Sequence, residues 1–82
     1  MRNKYGPLCD YLKRCGKSSV RITFQEIEDI IGESLPVSAY TYQAWWGNRK
    51  PYVSQARAYI EAGFLVEKVN LVEKWVLFIK TM

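Results

Sequence analysis

The chain has 82 residues, 12 Lys and Arg against 8 Asp and Glu for a net charge of +4, no histidine, two cysteines, and three Trp, six Tyr and three Phe. A length of this order fits one domain, expected over residues 1–82, which buries about 60% of its unfolded surface and gains core volume from rings that each bury on the order of 150–250 Å². The composition excludes Ser-His and Cys-His nucleophile pairs and any histidine or four-cysteine zinc site, and no phosphate-cradling glycine loop or acid–base pair stands out, so the expectation is no enzyme, no catalytic residue, no metal and no cofactor.

Tyr5, Leu8, Leu12 and Cys15 recur at helical spacing, with Asp10, Lys13, Arg14 and Lys17 on the other side and Pro7 near the start, where a missing N–H costs nothing. This predicts a first helix ending at Gly16. Cys9 and Cys15 stand about 9 Å apart along such a helix, too far for a disulfide, and read as small apolar groups rather than reactive thiols. Ser19 to Ile22 reads as a short strand, with Val20 and Ile22 on one face and Arg21 on the other.

Thr23-Phe24-Gln25-Glu26 has the form of a capping box, with Ile22 and Ile27 placed as a hydrophobic staple. It opens a second helix, Phe24 to Ile31, that buries Phe24, Ile27 and Ile30 or Ile31 and stops at Gly32. Glu26, Glu28, Asp29 and Glu33 form an acidic stretch around it. Glu26 is committed to the cap and the others point several ways, so a solvated face is the preferred reading over a metal or acid–base site.

Leu35-Pro36 resets the chain. From Ser38 the residues Ala39, Tyr42, Trp45 and Trp46 recur at helical spacing and predict one aromatic-rich helix running to Trp46, ended by Gly47-Asn48. Asn48 to Val53 reads as a loop with two adjacent cations. Ser54 is a good N-cap for a fourth helix to Ala62, with Ala56, Tyr59 and Ile60 inward, Gln55, Ala58 and Glu61 outward, an Arg57–Glu61 pair at i, i+4, and Gly63 as its stop.

Beyond Gly63 the period changes to two, and Phe64 to Leu71 with Lys74 to Lys80 predicts a β-hairpin turning near Val72-Glu73. On its second strand Trp75, Leu77 and Ile79 share one face and Val76, Phe78 and Lys80 the other. The longest apolar run, Trp75 to Ile79, is five residues, too short for a membrane span, and the N-terminus lacks a secretory pattern, so a cytoplasmic protein is expected. The order helix, short strand, helices, hairpin predicts an α+β, winged-helix-like domain of three to four helices. Either of the two middle helices can be its recognition helix.

The motifs Tyr5-x-Pro7-Leu8, Thr23-Phe24-x-Glu26-Ile27-Glu28, Leu35-Pro36-x-Ser38-Ala39, Trp45-Trp46-x-Asn48, Ser54-Gln55-Ala56 and Ala62-Gly63 cover nearly the whole chain. In them the sequence resembles a family of small prokaryotic and phage domains of uncharacterised function. That family's modules occur alone or beside other domains, some nuclease-like. The resemblance implies a setting near nucleic-acid transactions and carries no activity with it. Tyr59 and Phe64 stand where the family often has Trp, changes that keep ring packing.

From Tyr42 onward the chain holds six cations, Arg49, Lys50, Arg57, Lys68, Lys74 and Lys80, against Glu61, Glu67 and Glu73. If the fourth helix enters a groove, the Ser54 hydroxyl and the helix N-terminus meet a phosphate, Gln55 reaches a base edge, Arg49 and Lys50 lie on the flanking backbone, and Lys68 and Lys74 add wing contacts; Asn48, otherwise a helix C-cap, and Arg57 complete the expected contacts. This predicts a nucleic-acid-binding module, with duplex DNA the first choice; the bland alternative is that these cations serve solubility. Trp45 and Trp46, about 100° apart on a helix, are either a stacking platform or partner surface together with Tyr52, or wedges in a small core, and the core reading is preferred. The rival function is a protein-binding module: a homodimer, or a phage-type inhibitor of a host defence or nuclease component. No membrane or small-molecule partner is indicated.

Overall fold

The structure is a computed structural model that describes residues 4–47 and 54–81, the side chains of residues 54 and 55 excepted. It has α1 (Gly6–Arg14), β1 (Ser19–Thr23), α2 (Phe24–Ile31), α3 (Val37–Thr41), a 3₁₀ helix (Gln43–Trp46), α4 (Ser54–Glu61), β2 (Phe64–Asn70) and β3 (Trp75–Lys80). The strands form one antiparallel sheet in the order β1-β3-β2, so the C-terminal hairpin donates its last strand to pair with β1.

The capping box forms as the sequence expects. The Thr23 hydroxyl accepts from the Glu26 amide at 3.0 Å, and the Glu26 carboxylate accepts from the Thr23 amide at 2.8 Å. Ile22 and Ile27, on either side, are both buried. Gly32 ends α2 in the left-handed conformation, φ 76°, with its N–H donating to the Glu28 carbonyl, and Gly63 turns the chain from α4 into β2 at φ 85°. Both are conformations that a Cβ disfavours.

α1 packs on α2 and α4, and α4 packs on β2. The core between them gathers Leu8 and Leu12 of α1, Ile22 of β1, Phe24 and Ile27 of α2, Tyr59 of α4 and Val76 and Phe78 of β3, all nearly or fully buried. Cys9 and Cys15 are unbridged; Cys9 is the more buried, and Cys15 packs at the core's edge.

Three expectations change. The single helix expected to reach Trp46 is broken at Tyr42, which takes extended angles (φ −118°, ψ 118°) between α3 and the 3₁₀ helix. Tyr42 itself is 62% exposed. The break lets the chain re-aim: Trp46 turns into the core and its indole N–H donates to the Ala39 carbonyl at 2.9 Å, a bond spanning seven residues. Ala58, expected outward, is buried, because α4 is held between α1 and β2 and both of its alanines are covered. Glu28 is not simply solvated: its Oε2 accepts from the Leu35 amide at 2.8 Å and from the Tyr40 hydroxyl at 2.9 Å, tying α2 to the segment that follows.

Register fixes the sheet's two faces. Val20, Ile22, Val66, Val69, Val76 and Phe78 face the helices. The outer face has three rungs, Ser19–Ile79–Leu65, Arg21–Leu77–Lys68 and Thr23–Trp75–Asn70. A bulge at Glu67 separates Val66 from Lys68.

Thr23→Ala removes one half of the capping box and is expected to cost about 1 kcal/mol, lowering Tm by roughly 4–8 °C in a domain of this size. Thermal melts of the variant against wild type check this; an unchanged Tm contradicts the cap's role.

Candidate nucleic-acid interface

The cations expected to meet nucleic acid begin with Arg57, on the exposed side of α4. Its guanidinium Nε donates to Glu61 Oε2 at 2.6 Å, and that bond raises the Arg57 pKa further above its ordinary value. The pair is surface-exposed, so it contributes little to stability and leaves Arg57 able to change partners.

Lys74 is held by its backbone. It sits in the hairpin turn at φ 62°, its N–H donates to the Asn70 carbonyl at 2.7 Å, and its carbonyl accepts from the Phe24 amide at 2.9 Å. The Asn70 side chain accepts from the Glu73 amide at 2.8 Å, closing the same turn. The turn is thereby docked on the start of α2, with the Lys74 ammonium 5.9 Å from the centre of the Tyr40 ring. Lys68 is exposed on the outer face of the sheet, across the sheet from α4. Lys74 and Lys68 thus belong to the same hairpin but not to the same surface. Asn48, Arg49, Lys50 and Tyr52, and the side chains of Ser54 and Gln55, lie outside the described residues.

The tryptophans separate. Trp46 is 2% exposed, stacked on Phe24 with centroids 5.1 Å apart and planes 19° apart. Trp45 is half-buried and meets Trp46 edge to face at 4.7 Å and Tyr5 at 6.2 Å. Tyr59 adds a second tie to this region, its buried hydroxyl donating to the Gly47 carbonyl at 2.7 Å.

A second basic corner emerges from strand pairing. The Lys80 amide donates to the Ser18 carbonyl at 2.7 Å, which brings Lys80 beside Lys17 and the last turn of α1, where Lys13 and Arg14 lie. This corner is at the opposite end of the sheet from the hairpin turn. Lys13 and Arg14 also complement the α1 dipole there. The long-range pairing that adds Lys80 has no local signal in the sequence.

The acidic stretch is taken up by structural bonds: Glu26 by the cap, Glu28 by Leu35 and Tyr40, Asp29 by the Gln25 amide at 3.1 Å, and Glu33 by Lys4 at 4.0 Å. Among the described residues there is no group of three or more Cys, Asp or Glu side chains able to hold a metal ion, and no helix is long and apolar enough to cross a membrane.

The described residues therefore form a small α+β domain of four α-helices, a 3₁₀ helix and a three-stranded antiparallel sheet that includes a C-terminal hairpin, with basic side chains at its α4, turn and α1–β1 surfaces. The chain belongs to the family described as a domain of unknown function (DUF7662), which matches it over residues 5–81. No curated protein and no solved structure matches it.

Two outcomes follow from these side chains. Trp46→Ala removes a buried ring and is expected to cost about 3–5 kcal/mol, enough to leave a domain of this size largely unfolded. Trp46→Phe keeps the stack on Phe24 but strands the Ala39 carbonyl and is expected to cost about 1–3 kcal/mol. Urea unfolding followed by circular dichroism checks both, and a Trp46→Ala variant with wild-type stability would remove the anchoring role.

The second concerns alkaline pH. Burial raises the pKa of Tyr59 strongly, burial and then the Glu33 charge raise that of Tyr5, and burial and then the Glu28 hydrogen bond raise that of Tyr40. In the unfolded chain each ionises near pH 10. A raised folded pKa means stability that is whole below about pH 10 and is lost as pH climbs above it. Stability measured from pH 7 to 11 should be flat with respect to these groups and then fall. Tyr59→Phe should fall less steeply; an equal fall in the variant contradicts the assignment.

Proposed function

We propose that the domain is a winged-helix module that binds nucleic acid, duplex DNA in particular, and has no catalytic activity of its own. The observation that carries this reading is the strand order β1-β3-β2 together with α4 packed on α1 and β2 directly ahead of the hairpin. In a winged helix the strand after the first helix pairs with the last strand, and the helix leading into the hairpin is the one that meets the major groove. On this reading α4 is the recognition helix, and α3 with the 3₁₀ helix is an insertion between the second and third helices.

Charge supports the same assignment. Arg57 lies on the exposed side of α4, Lys74 stands in the hairpin turn, and Arg49 and Lys50 precede α4 in sequence. Phosphates meet these four cations, while Gln55, a residue type that pairs bidentately with adenine, supplies base contact, and Asn48 and Ser54 complete the set. Lys68, on the outer face of the sheet, is left out of this interface. To reach a phosphate, Arg57 must exchange its bond with Glu61.

The test is fluorescence anisotropy of labelled duplex DNA at about 50 and 200 mM salt, where four phosphate contacts predict a loss of affinity on the order of a hundredfold. Arg49→Ala with Lys50→Ala should abolish most non-specific binding at unchanged Tm. Glu61→Gln removes the partner that Arg57 must give up and should tighten binding by a few-fold, with the salt slope still that of four phosphate contacts. Duplex affinity that is absent, or indifferent to salt and to all three substitutions, contradicts the proposal and moves the weight to a protein partner.

A further inference from the structure

The outer face of the sheet carries an apolar row that the core does not use. Trp75, Leu77 and Ile79 run along the central strand, each partly exposed but less so than the flanking Arg21 and Lys68, with Leu65 beside Ile79 on β2. None of the four belongs to the buried cluster or to the partly buried side chains packed against it. An apolar row at the centre of a solvent-facing sheet calls for an occupant, because burying it is favourable and leaving it open invites association.

The charges on this face say what kind. Arg21 and Lys68 flank Leu77 from β1 and β2, in one rung and both exposed. The Arg21 guanidinium lies 5.3 Å from the centre of the Trp75 ring, and the Trp75 indole N–H is engaged by Glu73 Oε1 at 2.9 Å. The surface is thus an apolar stripe with a cation on either side.

Dimensions match a helix. Three alternate strand residues span about 14 Å, the length of roughly nine helical residues, and cations two strands apart are about 10 Å apart, the width of a helix with its side chains. We infer that this face docks an amphipathic helix of another protein, whose apolar stripe covers Trp75, Leu77 and Ile79 and whose acidic flanks pair with Arg21 and Lys68.

Other occupants fit less well. In a face-to-face contact with a second copy, each cation meets a cation across the interface. Single-stranded nucleic acid needs open ring faces for stacking, but Leu65, Leu77 and Ile79 have no rings, and Trp75 has Arg21 over it and Glu73 on its N–H. Duplex DNA would place phosphates over aliphatic carbon. This surface lies across the sheet from α4, so it is independent of the DNA-binding reading.

The experiment titrates wild-type protein into a labelled synthetic helical peptide with leucines at i, i+3, i+4 and i+7 and glutamates on both flanks, and into its twin with lysine for glutamate. Amide shifts of ¹⁵N-labelled protein locate the contact. The acidic peptide should bind about tenfold or more tightly than its twin and move the amides of Leu77 and Ile79. Arg21→Glu with Lys68→Glu, both exposed positions, should reverse that preference with the fold intact. The inference is overturned if neither peptide binds, if both bind alike, or if the charge reversal leaves the preference unchanged. It is equally overturned if an oligothymidine moves the same amides in the acidic peptide's place, or if sedimentation reveals a dimer that Leu77→Glu disperses.

Discussion

Burial of one indole organises the middle of this chain. Trp46 lies flat on Phe24, the first residue of α2, and donates its one side-chain N–H to the Ala39 carbonyl. A buried tryptophan that could not place that proton would cost on the order of 1–3 kcal/mol, so ring and bond stand or fall together. To meet both demands the backbone breaks at Tyr42 and tightens into a 3₁₀ turn. The Tyr59 hydroxyl then fastens the same region to α4 through Gly47, and Glu28 fastens it to α2 through Leu35 and Tyr40. A segment that adds only five α-helical residues is thereby made part of the core.

The result is a molecule with two differently built surfaces. On the helical side the sheet is covered, and the exposed groups include Arg57 and, at the rim, the docked hairpin turn with Lys74. On the other side the sheet is open, with aliphatic and indole surface between Arg21 and Lys68. Cations over water-exposed backbone suit phosphate; cations framing an apolar row suit carboxylates on an apolar stripe. The two proposals together describe a domain that holds nucleic acid with one surface and a protein with the other, and so brings a partner to DNA.

Much of the fold was legible wherever the signal was local. Thr23 and Glu26 define a cap within four residues, Gly32 and Gly63 mark stops, and the change of period after Gly63 marks the hairpin. The readings that needed correction depended on distant partners. Tyr42 has the spacing of a buried helical residue, but Trp46's bond to Ala39 outweighs that pattern. Ala58 reads as surface because nothing local reveals that α1 and β2 close on it. Glu28 reads as one carboxylate among several until Leu35 and Tyr40 come round to it. In the candidate interface, the Arg57–Glu61 pair was readable from its spacing, whereas the placement of Lys68 across the sheet from α4, Lys80 beside Lys17, and Arg21 over Trp75 all require strand register.

The central claim is that α4 and the hairpin turn form one nucleic-acid surface while the outer sheet face is reserved for something else. The most direct measurement is an amide chemical-shift footprint of ¹⁵N-labelled protein titrated with a short DNA duplex at low salt. The account predicts shifts along α4, including Arg57, and at Lys74 in the turn, with Leu77 and Ile79 unmoved. Shifts confined to the outer face, or spread evenly over every cation including Lys13, Arg14 and Lys17, would contradict it.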